Sequence, residues 1–217
     1  MQHGKYAMIQ RKKILGRDAK RKVKIMTKLF IALERALVIV EQQGDAWYVD
    51  EQLAGMRTQC LASDPRRPEL VYCGTFGEGL WRSRDAGRSW EQVGASVIQP
   101  QVMSVAVSQT ERVGDMGVVY VGTEPSALYR SEDGGTSWRE METLRQLPST
   151  PTWSFPPRPY TSHIRWITPD PLVHGRIFVA VEAGALLRSL DGGATWEDRK
   201  PTGPFDTHTL VMHPAAP

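Results

Sequence analysis

Short apolar runs recur along the chain, each bounded by Gly, Pro, Asp or Ser. Leu70-Val71-Tyr72-Cys73, Val118-Val119-Tyr120-Val121 and Ile177-Phe178-Val179-Ala180-Val181 are the plainest. Runs of this length, rich in β-branched and aromatic residues and closed by turn formers, predict strands rather than helices. Three consecutive segments each predict four strands. They fall at 59–63, 70–74, 79–83 and 89–93; at 103–107, 118–122, 127–131 and 137–141; and at 165–168, 176–181, 185–189 and 195–198. Upstream, 29–33, 36–40 and 46–50 predict a weaker version of the same unit. At the far end, 208–212 followed by His213-Pro214 repeats 59–63 followed by Asp64-Pro65, so a further unit begins there.

One motif punctuates these units. Arg82-Ser83-Arg84-Asp85-Ala86-Gly87-Arg88-Ser89-Trp90 returns as Arg130-Ser131-Glu132-Asp133-Gly134-Gly135-Thr136-Ser137-Trp138 and as Arg188-Ser189-Leu190-Asp191-Gly192-Gly193-Ala194-Thr195-Trp196. Asp at the third position after Arg can accept backbone N–H bonds inside a tight turn, and the following Gly supplies positive φ cheaply. The Trp is large enough to anchor the hairpin by burial. In the weaker first unit Gln42 stands at the Asp position, while Gly44 and Trp47 keep the turn and the anchor. The Asp-to-Asp steps, 85 to 133 and 133 to 191, have the length of propeller blades.

These copies resemble the Asp-box, or BNR repeat, of the sialidase-like β-propellers. That superfamily also includes two-propeller xyloglucanases, sortilin-type receptors and photosystem assembly factors. The resemblance implies an all-β propeller of four-stranded antiparallel blades. It also implies that the box is scaffold, remote from the binding face. Ser83, Asp85, Gly87, Trp90, Ser131, Asp133, Gly135, Trp138, Ser189, Asp191, Gly193 and Trp196 are then structural residues, and the three aspartates are not catalytic acids. The blades are expected at about 26–53 (degenerate), 59–93, 103–141 and 163–199, with the start of another at 207–217. Two closures are open: residues 208–212 could complete the first blade in a four-bladed ring, or the chain could be a truncated six- or seven-bladed propeller. The usual size of such propellers favours truncation.

Charge adds one feature. Residues 1–25 carry nine Lys or Arg against Asp18 alone, which makes them +8 within a total of +3, and leaves 26–217 at −5. This stretch reads as a disordered basic leader. Nucleic acid is not expected as a partner, because no aromatic beyond Tyr6 interleaves the charges. No run is long enough to span a membrane, and no signal peptide is evident, so a cytoplasmic location is expected. Cys60 and Cys73 read as two buried free thiols, since no cysteine framework surrounds them.

The candidate chemistry lies where hairpins between second and third strands meet the entries to the innermost strands. Glu34, Glu124 and Glu182 occupy one register in three blades, and Phe76 takes that place in the fourth. Arg165 and His208 open innermost strands, with His163 just before the first. The longest insertion displays Trp153, Arg158 and Tyr160 on a Pro-stiffened loop, as suits carbohydrate stacking or a protein hot spot. These residues together suggest a face that binds a glycan or protein ligand, with Arg165 as a charge clamp. The alternative is a sialidase-like glycoside hydrolase using two of the carboxylates, although no Arg-Ile-Pro motif is present. No phosphate loop and no metal-spaced His/Cys cluster appears, so neither cofactor nor metal is expected.

Overall fold

The structure, a computed structural model, describes residues 6–14 and 24–213. Fifteen strands form four antiparallel sheets among these residues. The first sheet is β1 (Tyr6–Ile14), β2 (Lys24–Ala32), β3 (Leu37–Gln43) and β4 (Ala46–Gln52). The second is β5 (Thr58–Asp64), β6 (Arg67–Thr75), β7 (Leu80–Ser83) and β8 (Glu91–Val93). The third is β9 (Val102–Val113), β10 (Met116–Thr123), β11 (Leu128–Ser131) and β12 (Arg139–Glu140). The fourth is β13 (Ile164–Pro169), β14 (Ile177–Val181) and β15 (Ala185–Ser189). Each sheet is a meander in chain order, and β1, β5, β9 and β13 lie side by side along the axis. This is an all-β propeller.

The core lies between blades. Phe30, Leu37 and Ile39 meet Val71, Leu61 and Trp90 at the first junction. Tyr72 and Leu80 meet Val102, Val119 and Val121 at the second. Tyr120 and Leu128 meet Ile164, Ile177 and Val179 at the third. Glycine permits the closest approach: a Cβ on Gly74 would fall 2.5 Å from Val102 Cγ1, and one on Gly122 would fall 2.5 Å from Ile164 Cγ2. The last blade shares no comparable cluster with the first among the described residues.

Three expectations are corrected. The basic stretch 1–25 is not wholly a leader, because Tyr6–Ile14 pairs along its length with Lys24–Ala32 and forms the innermost strand of the first blade. Backbone pairing does not need apolar alternation, so a lysine-rich strand passes for a leader; the remainder of that stretch lies outside the described residues. The first blade therefore does not need 208–212 to complete it. Those residues form no strand. The carbonyl of Leu210 instead accepts from Trp166 Nε1 at 3.0 Å and Thr168 Oγ1 at 2.8 Å, which seats the segment beside β13. Finally, the fourth strand of the last blade is reduced to a single bridge, Arg188 to Glu197.

The repeated turn closes in the same way three times. Ser83 Oγ donates to Asp85 Oδ1 at 2.8 Å and accepts from the Gly87 N–H at 2.7 Å. Asp85 then accepts from the Ser89 N–H and hydroxyl at 2.9 and 2.6 Å. Ser131, Asp133, Gly135 and Ser137 repeat these bonds, as do Ser189, Asp191, Gly193 and Thr195. The turn glycines have φ of +88°, +84° and +85°, where a side chain is strained. Trp90, Trp138 and Trp196 are half-buried rather than fully buried, each packed at the junction with the preceding blade. Trp47 holds the equivalent place in the first blade but is 51% exposed, because no blade packs against it among the described residues. Cys60 and Cys73 are free and buried, and burial pushes the Cys60 thiol up to about 12.

Candidate functional site

The innermost strands begin beside the hairpins that join second and third strands. The Glu124 N–H donates to Gln101 O at 2.9 Å, and Thr58 Oγ1 donates to Leu33 O at 2.6 Å. This end, the top face, lies opposite the repeated turns. Most of the predicted site residues gather here around one imidazole. His163 is 2% exposed and stands immediately before β13. Its Nε2 lies 2.8 Å from Glu182 Oε2, and its Nδ1 lies 3.2 Å from Glu124 Oε2, the latter outside hydrogen-bond geometry. The ring of Phe155 meets it edge-on at 4.6 Å.

Each carboxylate has a cation of its own. Arg158 grips Glu124 with two bonds, Nε to Oε1 at 2.8 Å and Nη2 to Oε2 at 2.7 Å, the planar fork geometry that favours guanidinium over ammonium. That hydrogen bonding raises the guanidinium above its usual value despite an opposing contribution from burial. Arg158 also stacks over Phe155 and Phe76, at 4.8 and 5.6 Å from the ring centroids. Glu182 Oε2 faces Arg165 Nε at 3.5 Å, and its Oε1 faces His208 Nε2 at 3.5 Å. The sequence-predicted register thus brings Glu124, Glu182, Arg158, His163, Arg165 and His208 into one network.

The remaining predictions fare differently. Glu34 is exposed on the β2–β3 turn, with no contact to this network among the described residues. Tyr160 is on the face and 85% exposed. Trp153 is not displayed at all. It is 7% exposed, belongs to the core of the third junction, donates to Ser149 Oγ at 2.9 Å and lies over Gly184. An aromatic in a long loop reads as a contact residue, yet here the loop folds through two 3-10 turns and buries its own indole. Asp206 was missed. It accepts from the Ala183 N–H at 3.1 Å and lies 3.1 Å from His208 Nε2. Only tertiary folding of 199–208 over the β14–β15 turn, through Gly184 N–H to Phe205 O at 3.0 Å, brings it there. A cleft of about 410 Å³ lies at the opposite end, between Arg66, Thr110 and His174, and takes in none of the predicted residues.

No protein-family model matches the chain, and no curated protein matches it. Among solved structures it is similar to the GH74 enzyme of Niastella koreensis, at 15% identity and a TM-score of 0.59, over 80% of this chain and 28% of that one. It is similar also to an ancestral GH74 enzyme, at 14% identity and a TM-score of 0.56, over 82% of this chain and 22% of that one. A structure of YCF48 bound to D1 peptide matches at 15% identity and a TM-score of 0.41, over 79% of this chain and 78% of that one. The chain spans less than a third of the length of either GH74 enzyme. At such identities the likeness to the two GH74 enzymes establishes the β-propeller fold.

Proposed function

We propose that the chain is an Asp-box propeller of the sialidase-like kind, and that it acts as a non-catalytic binding scaffold through its top face. The observation that carries this reading is the state of the two carboxylates. Glu124 is spent on the fork of Arg158, and Glu182 on His163 and Arg165. A glycoside hydrolase needs two carboxyl groups facing an open space about 5–9.5 Å across, in which the glycosidic oxygen and a water or nucleophile meet. Here the imidazole of His163 fills the space between them. A preorganised, charge-balanced surface with a protruding phenol suits recognition instead, and a glycan or protein ligand is the proposed class of partner.

A panel of neutral and acidic oligosaccharides and acidic peptides, titrated into the protein, tests this. Saturable binding weakened at least tenfold by Arg165→Ala or Tyr160→Ala, with no turnover of xyloglucan or sialyl-lactose, is the expected result. Turnover that disappears in Glu124→Gln or Glu182→Gln would establish the hydrolase in its place.

A further inference from the structure

The outer side of the same network brings three donors together. One carboxylate oxygen each of Glu182 and Asp206 and a ring nitrogen of His208 all lie within 4.8 Å of one another. His208 Nε2 is 3.1 Å from Asp206 Oδ1 and 3.5 Å from Glu182 Oε1. Donors about 3–4 Å apart are what a tetrahedral ion with metal–ligand bonds near 2.0–2.2 Å requires. A single imidazole N–H also cannot donate to two carboxylates at once with good geometry, whereas one cation can satisfy all three groups.

We propose that Glu182, Asp206 and His208 form a three-ligand site for a divalent transition-metal ion, zinc foremost, with its remaining coordination position open to solvent. One nitrogen and two carboxylate oxygens are the mixed donor set that suits zinc and its neighbours, while calcium prefers six to eight oxygens. The ligands are held as metal ligands usually are. Behind Glu182, the buried imidazole of His163 fixes Oε2 and so aims Oε1 outward. That imidazole is 2% exposed and its Nδ1 makes no hydrogen bond, so this carboxylate is its one well-aligned partner. The Ala183 N–H fixes Asp206 Oδ1. Such outer contacts orient ligands and tune affinity. Asp206 and His208 are 57% and 56% exposed at the side chain, which gives the ion a way in. Arg165, 3.5 Å from Glu182 Oε2, offsets one negative charge and keeps the affinity modest.

The site shares Glu182 and His208 with the top-face reading and is tested without any glycan or peptide, so either can fail alone. The protein is stripped with a chelator, dialysed, and titrated by calorimetry with zinc chloride, with calcium chloride as the comparison. One zinc per chain, no calcium heat, and a loss of at least tenfold in affinity for both Asp206→Asn and His208→Ala are expected. Both substitutions fall on exposed side chains, and unchanged thermal melting verifies the fold. His174→Ala should leave the titration unchanged. Zinc binding that survives both substitutions, or no zinc heat at all, would overturn the proposal.

Discussion

Nη1 of Arg82 donates at 2.6 Å to the carbonyl of Gly134, fifty-two residues on and in the next blade. Arg130 repeats the contact to Gly192 O at 3.0 Å. Lys28 makes it to Ala86 O at 3.1 Å, where the first blade carries no arginine in the motif. Ala86, Gly134 and Gly192 occupy one position of the repeated turn. A cation from each of the first three blades therefore latches the turn of the next, so the motif holds blades together as well as hairpins. Arg82 is 4% exposed and also pairs with Glu91 at 2.8 Å. Arg82→Ala should cost about 2–3 kcal/mol, the upper range for a hydrogen bond to a charged group. Urea denaturation measures it, and a cost below about 0.5 kcal/mol, typical of an exposed surface change, would refute the latch.

The turn aspartates predict an acid transition. Asp85, Asp133 and Asp191 are each lowered from 3.8 to about 2. The Ser89 hydroxyl is the largest cause for Asp85, and the Thr195 hydroxyl for Asp191. Burial pushes Asp133 up, but bonds from Ser137, Ser131 and Thr136 outweigh it. In the unfolded chain these carboxyls return to about 3.9, so the unfolded state binds more protons between the two values. Their contribution is complete above about pH 4 and is lost as the pH falls toward 2. The urea midpoint of the native protein should drop across that window, and a triple Asp→Asn variant should drop less. Equal drops would remove the turns as the cause.

Which parts of this were legible follows from what each residue depends on. The strands of the second and third blades depend on local alternation and turn chemistry, and the sequence carries both. The pairing of Glu124 and Glu182 around His163 depends on a register that repeats from blade to blade, so it too could be read. β1 could not, because Tyr6–Ile14 gains its place from pairing with β2 while its composition is that of a solvated segment. Asp206 and Trp153 depend on how two irregular loops fold back, one over the β14–β15 turn and the other into the core, and no periodicity encodes that.

Trp138 and Trp47 hold the same motif position in different surroundings. Trp138 packs at the second junction, and its Nε1 donates to Gly135 O at 3.1 Å. Trp47 is 51% exposed on β4. Trp138→Ala should cost about 3 kcal/mol, the low end for large aromatic truncations since the ring is half-buried. Trp47→Ala should stay within about 0.5 kcal/mol, as surface changes do. Thermal melting of the two variants compares them directly, and similar losses would mean that position in the fold, not neighbouring blades, sets the value of the indole.

At the top face, Arg158 and Glu124 supply the sharpest structural test. Glu124 is 7% exposed at the side chain and Arg158 35%, so the pair is buried at the acid and open at the base. Removing the guanidinium strands a nearly buried carboxylate whose remaining ion-pair partner among the described residues is His163. Breaking a fully buried pair costs about 3–5 kcal/mol; with Arg158 partly solvated, Arg158→Ala should cost about 2 kcal/mol. Arg158→Lys should recover little of this, because one ammonium cannot reproduce two parallel bonds or the stacking over Phe155 and Phe76. Glu124→Gln should be milder than Arg158→Ala, since the amide leaves no buried charge unpaired. Thermal melting of the three variants orders them. A Lys variant as stable as the native protein would reduce this contact to a simple charge pair and would free Arg158 for a ligand.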